Sequence, residues 1–263
     1  MEFNADTPTS LLEASVIQWQ WKEDVFPECD QFNGIHEGLV QSWKDIFPKK
    51  GEIHFAGALE NNEDTGTLQY LASTAMEAGF STRVLDMQAL DLQNGRFFDP
   101  AGELVNRCFK LYPWEWMVDE SPDGCLAEME WLEPIWKLVM SNKAILATLY
   151  ELFPDSPYVL PCYLSRPRSG LFCKKPIFSR EGHNVSVVDI RDWEEYVRIA
   201  ETEGDYNTGA YVYQEYVEPT AYSGRYPVIG SWIIGGEAAG IGIRENRMEV
   251  TDNLSEFVPH IIG

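Results

Sequence analysis

The tightest constraint on what this chain can fold into is one strand–helix–strand pattern. Ile53 to Leu59 reads as a buried strand, and Thr67 to Ala78 as a helix with Leu68, Leu71, Ala75 and Met76 inward and Gly79 as its stop. Thr82 to Leu85 is the next strand. A crossover of this kind joins parallel strands, and ligands of open α/β sheets bind beyond the carboxyl ends of the strands. That places Asn61-Asn62-Glu63-Asp64, a loop leading into a helix N-terminus, at a candidate site. The two acids also suit the positive end of the helix dipole, so the pattern alone does not choose between binding and structure.

Upstream, Ser10-x-x-Glu13 reads as a capping box before a helix from Leu11 to Trp21. Residues 35–47 place Ile35, Leu39, Val40, Trp43 and Ile46 on one helical face. Residues 86–127 look irregular, and residues 129–153 read as two helical pieces split near Pro134 and Ser141. Strands are expected at 157–163, 171–177, 184–189, 211–217, 227–234 and 237–245, interrupted by one helix at 191–203. The expectation is an α/β half joined to an α+β half, with the boundary near residues 100–105.

A chain of 263 residues can bury a sizeable core. Its net charge of −22 argues against nucleic acid and anionic membrane surfaces, and suits a cationic partner such as a polyamine. No run of eighteen apolar residues exists to span a bilayer, and no basic-then-apolar leader opens the sequence. Five cysteines without C-x-x-C spacing read as reduced thiols of a cytoplasmic protein.

The chemistry-bearing residues concentrate where apolar runs stop. Lys175 ends the apolar strand from Leu171 to Ile177, and Ser179, Arg180 and Gly182 follow in a basic turn whose N–H groups could close over phosphates. Lys143 sits at a helix start, where a cation opposes the dipole unless an anion lies opposite. Gln214-Glu215-Tyr216 ends another strand and could offer backbone groups to a base edge. Arg244 ends the strand from Ala238 to Ile243. Glu2 and Asn4, at i and i+2 on an expected strand end, present hard oxygens suited to Mg²⁺. Each element has a bland structural reading; together they point to a nucleotide site with a metal. The absence of a Walker motif and of G-x-G-x-x-G disfavours P-loop and Rossmann binding.

Glu2-Phe3-Asn4-Ala5-Asp6-Thr7-Pro8-Thr9-Ser10, Phe109-Lys110 to Trp114-Glu115, Pro134-Ile135-Trp136, Asn142-Lys143-Ala144-Ile145-Leu146, Lys175-Pro176-x-x-Ser179-Arg180-Glu181-Gly182-x-Asn184 and Gly240-Ile241-Gly242-Ile243-Arg244 together resemble the glutathionylspermidine synthase family, over nearly the whole chain. The resemblance implies an ATP-grasp fold with a preATP-grasp-like parallel α/β substrate domain, divided as residues 1–103 for substrate and metal and 104–263 for nucleotide. It implies an ATP- and Mg²⁺-dependent ligase that joins a thiol peptide or other carboxylate to a polyamine or other amine through an acyl phosphate, and it allows a homodimer. It assigns Mg²⁺ to Glu2 and Asn4, phosphates to Lys143, Lys175 and Arg244, the peptide and amine to Glu63 and Asp64, and substrate hydroxyl positions to Thr7 and Thr9. Trp116 stands where the family has a pocket threonine, which implies a narrower pocket. The family also has an arginine and an acidic metal ligand upstream of the Glu2 motif, so the expectation is a chain that binds nucleotide and ligates poorly. Two other readings fit the residues: a nucleotide-binding protein of this fold without turnover, and an acidic interaction module with an aromatic surface.

Overall fold

The crossover expected from residues 53–85 is present in the computed structural model, which describes residues 1–192, 195–206, 209–248 and 255–263. The chain divides into two compact units, each discontinuous in sequence.

The first unit comprises Ala5–Leu138, Ile229–Ile243 and Phe257–Gly263. A π-helical turn, Glu13–Ile17, runs into α1 (Gln18–Val25), followed by α2 (Ile35–Ile46), β1 (Glu52–Gly57), α3 (Asn62–Glu77) and β2 (Ser81–Asp86). Then come β3 (Asp91–Gln93), β4 (Arg96–Phe98), β5 (Leu104–Val105), β6 (Arg107–Leu111), α4 (Trp114–Glu120), α5 (Pro122–Cys125) and β7 (Glu130–Leu132). The order β2-β1-β6-β7 makes an all-parallel sheet. Its central strands, β1 and β6, are buried over almost their whole length, as strands covered on both faces are. Ile53, Phe55, Phe109 and Leu111 pack against α2 and α3, while Ala56, Leu85 and Cys108 pack with Trp114 and Phe97 in a second cluster. A fully buried Leu, Ile or Phe side chain of this kind stabilises by about 1.5–3 kcal/mol. Trp43 donates from Nε1 to Thr74 Oγ1 at 2.9 Å, which fixes α2 on α3. Gly57 has to be glycine, because a Cβ there would lie 2.9 Å from Leu68 Cδ1 and 3.0 Å from the Leu111 carbonyl.

The second unit comprises Met1–Asn4, Val139–Val228 and Arg244–Glu256. After α6 (Lys137–Ser141) come α7 (Ala144–Leu152), β8 (Cys162–Tyr163), β9 (Gly170–Pro176), β10 (Ser186–Ile190), β11 (Tyr196–Glu201) and β12 (Tyr211–Glu215). These five strands form a sheet in the order β11-β10-β9-β12-β8, antiparallel throughout. The remaining strands, β13 (Tyr226–Ile234), β14 (Glu237–Asn246) and β15 (Glu256–Val258), pair in that order. Among the described residues no helix is long and apolar enough to cross a membrane.

Several sequence expectations change. The division near residue 103 is not followed, because β6 pairs with β1 and so residues 104–138 belong with the parallel sheet. The segment read as a helix over 191–203 contains β11, paired antiparallel to β10; residues 193–194 of that segment lie outside the described ones. Tyr196-Val197-Arg198-Ile199 is β-branched and aromatic, and the β10 edge supplies its ladder. The stretch 86–127 is ordered into β3 to β6 with α4 and α5. Ser10 has φ 61°, not the extended backbone of an N-cap, and its carbonyl accepts from Ala14 N at 3.1 Å. Residues 1–4 join no strand, so the expected strand-end spacing of Glu2 and Asn4 does not arise from a ladder.

Two buried polar groups in the parallel unit invite tests. Asp6 and Lys110 are both fully buried; Lys110 Nζ donates to Asp6 Oδ1 at 2.5 Å and to the Tyr112 carbonyl at 2.8 Å. Asp6 Oδ2 accepts from Trp114 N at 2.7 Å. Removing one partner of a buried pair strands the other charge, so Lys110→Met is expected to cost about 3–5 kcal/mol, and Asp6→Asn/Lys110→Met to recover most of it. Urea titrations of the three proteins check this.

His54 is 2% exposed, with Nε2 3.6 Å from Glu52 and 3.9 Å from Asp99, too far for hydrogen bonds. Burial lowers its pKa below the ordinary 6.5; Glu52 and Asp99 oppose that, and Arg83, paired with Asp99, reinforces it. The unfolded chain therefore protonates His54 at a higher pH than the folded chain does. The contribution of His54 to stability is complete above pH 6.5 and declines as pH falls below it. Replacing His54 with Gln is expected to flatten the loss of stability between pH 7.5 and 5, read as urea midpoints across that range.

Candidate functional site

The antiparallel register of β9 and β12 sets the centre of the site. Lys175 faces Val212 and Cys173 faces Gln214, so Cys173, Lys175, Val212 and Gln214 share one side of the sheet. Lys174 and Tyr211 project from the other side, where the Lys174 ammonium lies 3.9 Å from the Tyr211 ring centroid. Gln214 is 2% exposed and Lys175 is 9% exposed. Lys175 Nζ donates to Gln214 Oε1 at 3.0 Å and to the Met1 carbonyl at 3.3 Å. The Gln214 amide nitrogen, in contrast, is buried with no hydrogen-bond partner among the described residues.

Lys143 enters from the start of α7. Its backbone N–H donates to the Ile177 carbonyl at 2.8 Å and its Nζ to the Ser179 carbonyl at 2.5 Å, which ties the helix to the end of β9. The side chain is 3% exposed, with Glu2 Oε1 3.5 Å away. Desolvation lowers the Lys143 pKa; Glu2 raises it, while Lys175 and Arg180 lower it further. Lys175 and Arg180 are thus both close enough to Lys143 to act on its charge. Beyond Ser179 the backbone turns through Glu181 at φ 56°, Gly182 at 71° and Asn184 at 54°. Left-handed residues in succession are uncommon and cluster where a loop is shaped for a ligand.

The structure brings Glu2, Lys143, Lys175, Ser179 and Gln214 together, with Arg180 and Gly182 on the following turn. Glu215 and Tyr216 are less available than their sequence suggests: their backbone N–H groups donate to Pro161 O at 2.7 Å and Leu171 O at 3.0 Å. Asn4 is exposed, and Arg244 is half-buried in β14. Among the described residues no group of three or more His, Cys, Asp or Glu could hold a metal by itself. Glu2 and Asn4 supply a carboxylate and a carboxamide, hard donors of the type Mg²⁺ takes when phosphate oxygens and water complete its shell.

The parallel unit carries the other expected residues. Asn61 caps α3, its side chain accepting from Glu63 N at 2.9 Å, so the helix begins earlier than the sequence suggested. Glu63, exposed, and Asp64, half-buried, lie in its first turn beyond the carboxyl end of β1. Thr7 is buried beside Asp6, and Thr9 is exposed. Trp116 is 41% exposed on α4 and stacks edge-on against Tyr112, ring centroids 5.5 Å apart. Burial pushes the Tyr112 hydroxyl up to about 12, with Glu120, its hydrogen-bond partner at 2.5 Å, adding to the shift. Asp6 and Lys110 were not singled out by sequence reasoning, although a lysine inside the apolar run Cys108-Phe109-Lys110-Leu111 was a usable signal.

A family model described as glutathionylspermidine synthase preATP-grasp matches residues 1–263. A Haemophilus influenzae protein named as an acid–amine ligase is 38% identical over 98% of this chain and 70% of its own length. A Crithidia fasciculata trypanothione synthetase is 28% identical over 97% of the chain. An Escherichia coli bifunctional glutathionylspermidine synthetase/amidase is 26% identical over 99% of it. The chain spans 43% and 46% of the lengths of the latter two. A crystal structure from Methylobacillus flagellatus, named for γ-glutamylcysteine synthetase, shares the fold with TM-score 0.59 at 10% identity, covering 93% of this chain and 84% of the other.

The left-handed turn after Ser179 carries its own test. Gly182 sits at φ 71°, where a Cβ is unfavourable by about 1–2 kcal/mol. Gly182→Val is expected to lower stability by roughly that amount, whereas Gly182→Asn is expected to be milder, since Asn184 already adopts φ 54° nearby. Thermal or urea unfolding of both variants reads the difference.

Proposed function

The chain belongs to the glutathionylspermidine synthase preATP-grasp family, a family of acid–amine ligases, and on that basis we propose that it is an ATP- and Mg²⁺-dependent carboxylate–amine ligase. The observation that carries the reading is the gathering of Lys175 and Arg180 near Lys143, with the Gln214 side chain beside Lys175 holding an amide nitrogen that has no hydrogen-bond partner among the described residues. Two buried lysines, Lys143 and Lys175, beside a donor without a partner among the described residues, fit an anionic ligand rich in acceptors, as a nucleoside triphosphate is.

In this mechanism Lys143 and Lys175 neutralise phosphate oxygens, while the turn of Arg180 and Gly182 closes over them. Arg244 is assigned to the nucleotide phosphates. Glu2 and Asn4 would hold Mg²⁺, which would supply charge neutralisation. A substrate carboxylate oxygen takes the terminal phosphoryl and ADP leaves. The amine nitrogen then attacks the acyl carbon, phosphate departs, and the amine's proton passes to a nearby carboxylate. Glu63 and Asp64 are assigned to bind the ammonium and accept that proton. The acyl substrate is a thiol peptide or related acid, the amine a polyamine or related base, and Thr7, Thr9 and Trp116 are assigned to the acyl pocket. Reliance on ATP suits the cytoplasm.

Lys175→Ala is expected to weaken Mg·ATP binding about ten- to a hundredfold, the worth of one charge-assisted contact. Calorimetry reads this, and unchanged affinity would remove Lys175 from the site. ADP release with panels of thiol peptides and amines tests the reaction: it should need both substrates and should fall steeply in Glu63→Gln/Asp64→Asn.

A further inference from the structure

Outside the residues already assigned, the parallel unit holds a cavity of about 430 Å³ beside the π-helical turn. Trp19 and Val16 give it an apolar wall. Glu37, Gln20 and Asn33 are its polar groups. Its back is a hydrogen-bonded chain. Ser15 Oγ is 2.5 Å from Tyr70 OH, Tyr70 OH is 2.9 Å from His36 Nδ1, and His36 Nε2 is 3.0 Å from Glu77. The widened π turn, a feature often found at functional sites, leaves the Ser15 carbonyl to accept from Asn33 Nδ2 at 3.0 Å.

We propose that this cavity binds an aliphatic ammonium ligand, its charge beside Glu37 and its methylenes along Val16 and Trp19, as an amine site separate from Glu63 and Asp64. Among the described residues no lysine or arginine lines the cavity and Glu37 is its carboxylate, in a chain of 42 acids against 20 lysines and arginines, so the lining favours a cation over an anion. The indole of Trp19 already attracts an ammonium: Lys22 Nζ lies 4.3 Å from its ring centroid. A ligand would use the part of the ring that faces the cavity. Separation from the acids at the start of α3 follows from helix geometry. Glu63, Gly66 and Tyr70 fall on one stripe of α3. Between the two ends, Leu12 covers Gly66, where a Cβ would lie 3.1 Å from Leu12 Cδ1. The cavity and the acidic first turn therefore share a helix but are divided by an apolar side chain.

The proposal does not need the ligase reading to hold. Calorimetric titration of the whole chain with 1,4-diaminobutane, and with succinate as the anion of matched length, tests it. Saturable binding of the diamine alone is expected, weakened about three- to thirtyfold by Trp19→Leu and similarly by Glu37→Gln, in proteins whose unfolding midpoints match the parent. Glu63→Gln/Asp64→Asn should leave this binding in place. Absence of saturable heat, equal binding of succinate, or binding that ignores Trp19 and Glu37 but vanishes in Glu63→Gln/Asp64→Asn would each overturn the site. The last result would at the same time support the amine role of the acidic pair, so the two readings fail separately.

Discussion

The parallel unit is organised around one buried charge pair. Asp6 uses both carboxylate oxygens, one for Lys110 and one for the Trp114 backbone, while Lys110 also reaches the Tyr112 carbonyl and lies 4.3 Å from the Trp114 ring centroid. A buried pair of this kind adds little net stability over an apolar contact of the same shape. What it contributes is geometry, since any other path of the segment leaves a charge buried without its partner. The segment of Ala5 to Thr7, the end of β6 and the start of α4 are therefore held in one arrangement. Thr7 is buried because its neighbour is pinned.

Much of this unit was legible in the sequence, and the rest was hidden for identifiable reasons. Helical periodicity located α2 and α3, because Ile35, Val40, Trp43, Leu68 and Leu71 are apolar for the same reason that they are buried. Ile46, placed on that face by its spacing, is 47% exposed at the end of α2, beyond the reach of the core. Periodicity gave no hint that β6 returns to pair with β1, since register between distant strands leaves no local trace. Asp6 and Lys110 lie far apart in sequence, and although Lys110 interrupts an apolar run, nothing local points from it to Asp6. The segment 191–203 misled because its charges are spaced as on a helix, whereas the exposed edge of β10 decides its structure.

The nucleotide half shows the same division. Lys143, Lys175 and the glycine turn could be picked out as cations and flexible backbone where apolar runs stop. Their convergence could not, because it depends on the β9–β12 register and on Lys143 N bonding to Ile177 O across the start of α7. The sequence also over-valued Glu215 and Tyr216, whose N–H groups serve Pro161 and Leu171 within the fold. The group it under-described is the Gln214 side chain: its oxygen accepts from the Lys175 and Met1 ammonium groups, while its nitrogen has no hydrogen-bond partner among the described residues.

That leftover nitrogen and the crowded cations bear on each other. In a chain of net charge −22, cations are easily dispersed among acids, yet Lys143, Lys175 and Arg180 are gathered and partly desolvated. The cost shows in the lowered Lys143 pKa, which the neighbouring Glu2 only partly offsets. Under the proposed function, phosphate oxygens would take over that compensation and offer acceptors to the Gln214 amide as well. Glu2 would then be free to turn from Lys143 to the metal that the phosphates bring. On that proposal the two ligands would be coupled without any movement of the sheet: the anion would relieve the lysines, and in doing so it would release the carboxylate that the cation requires.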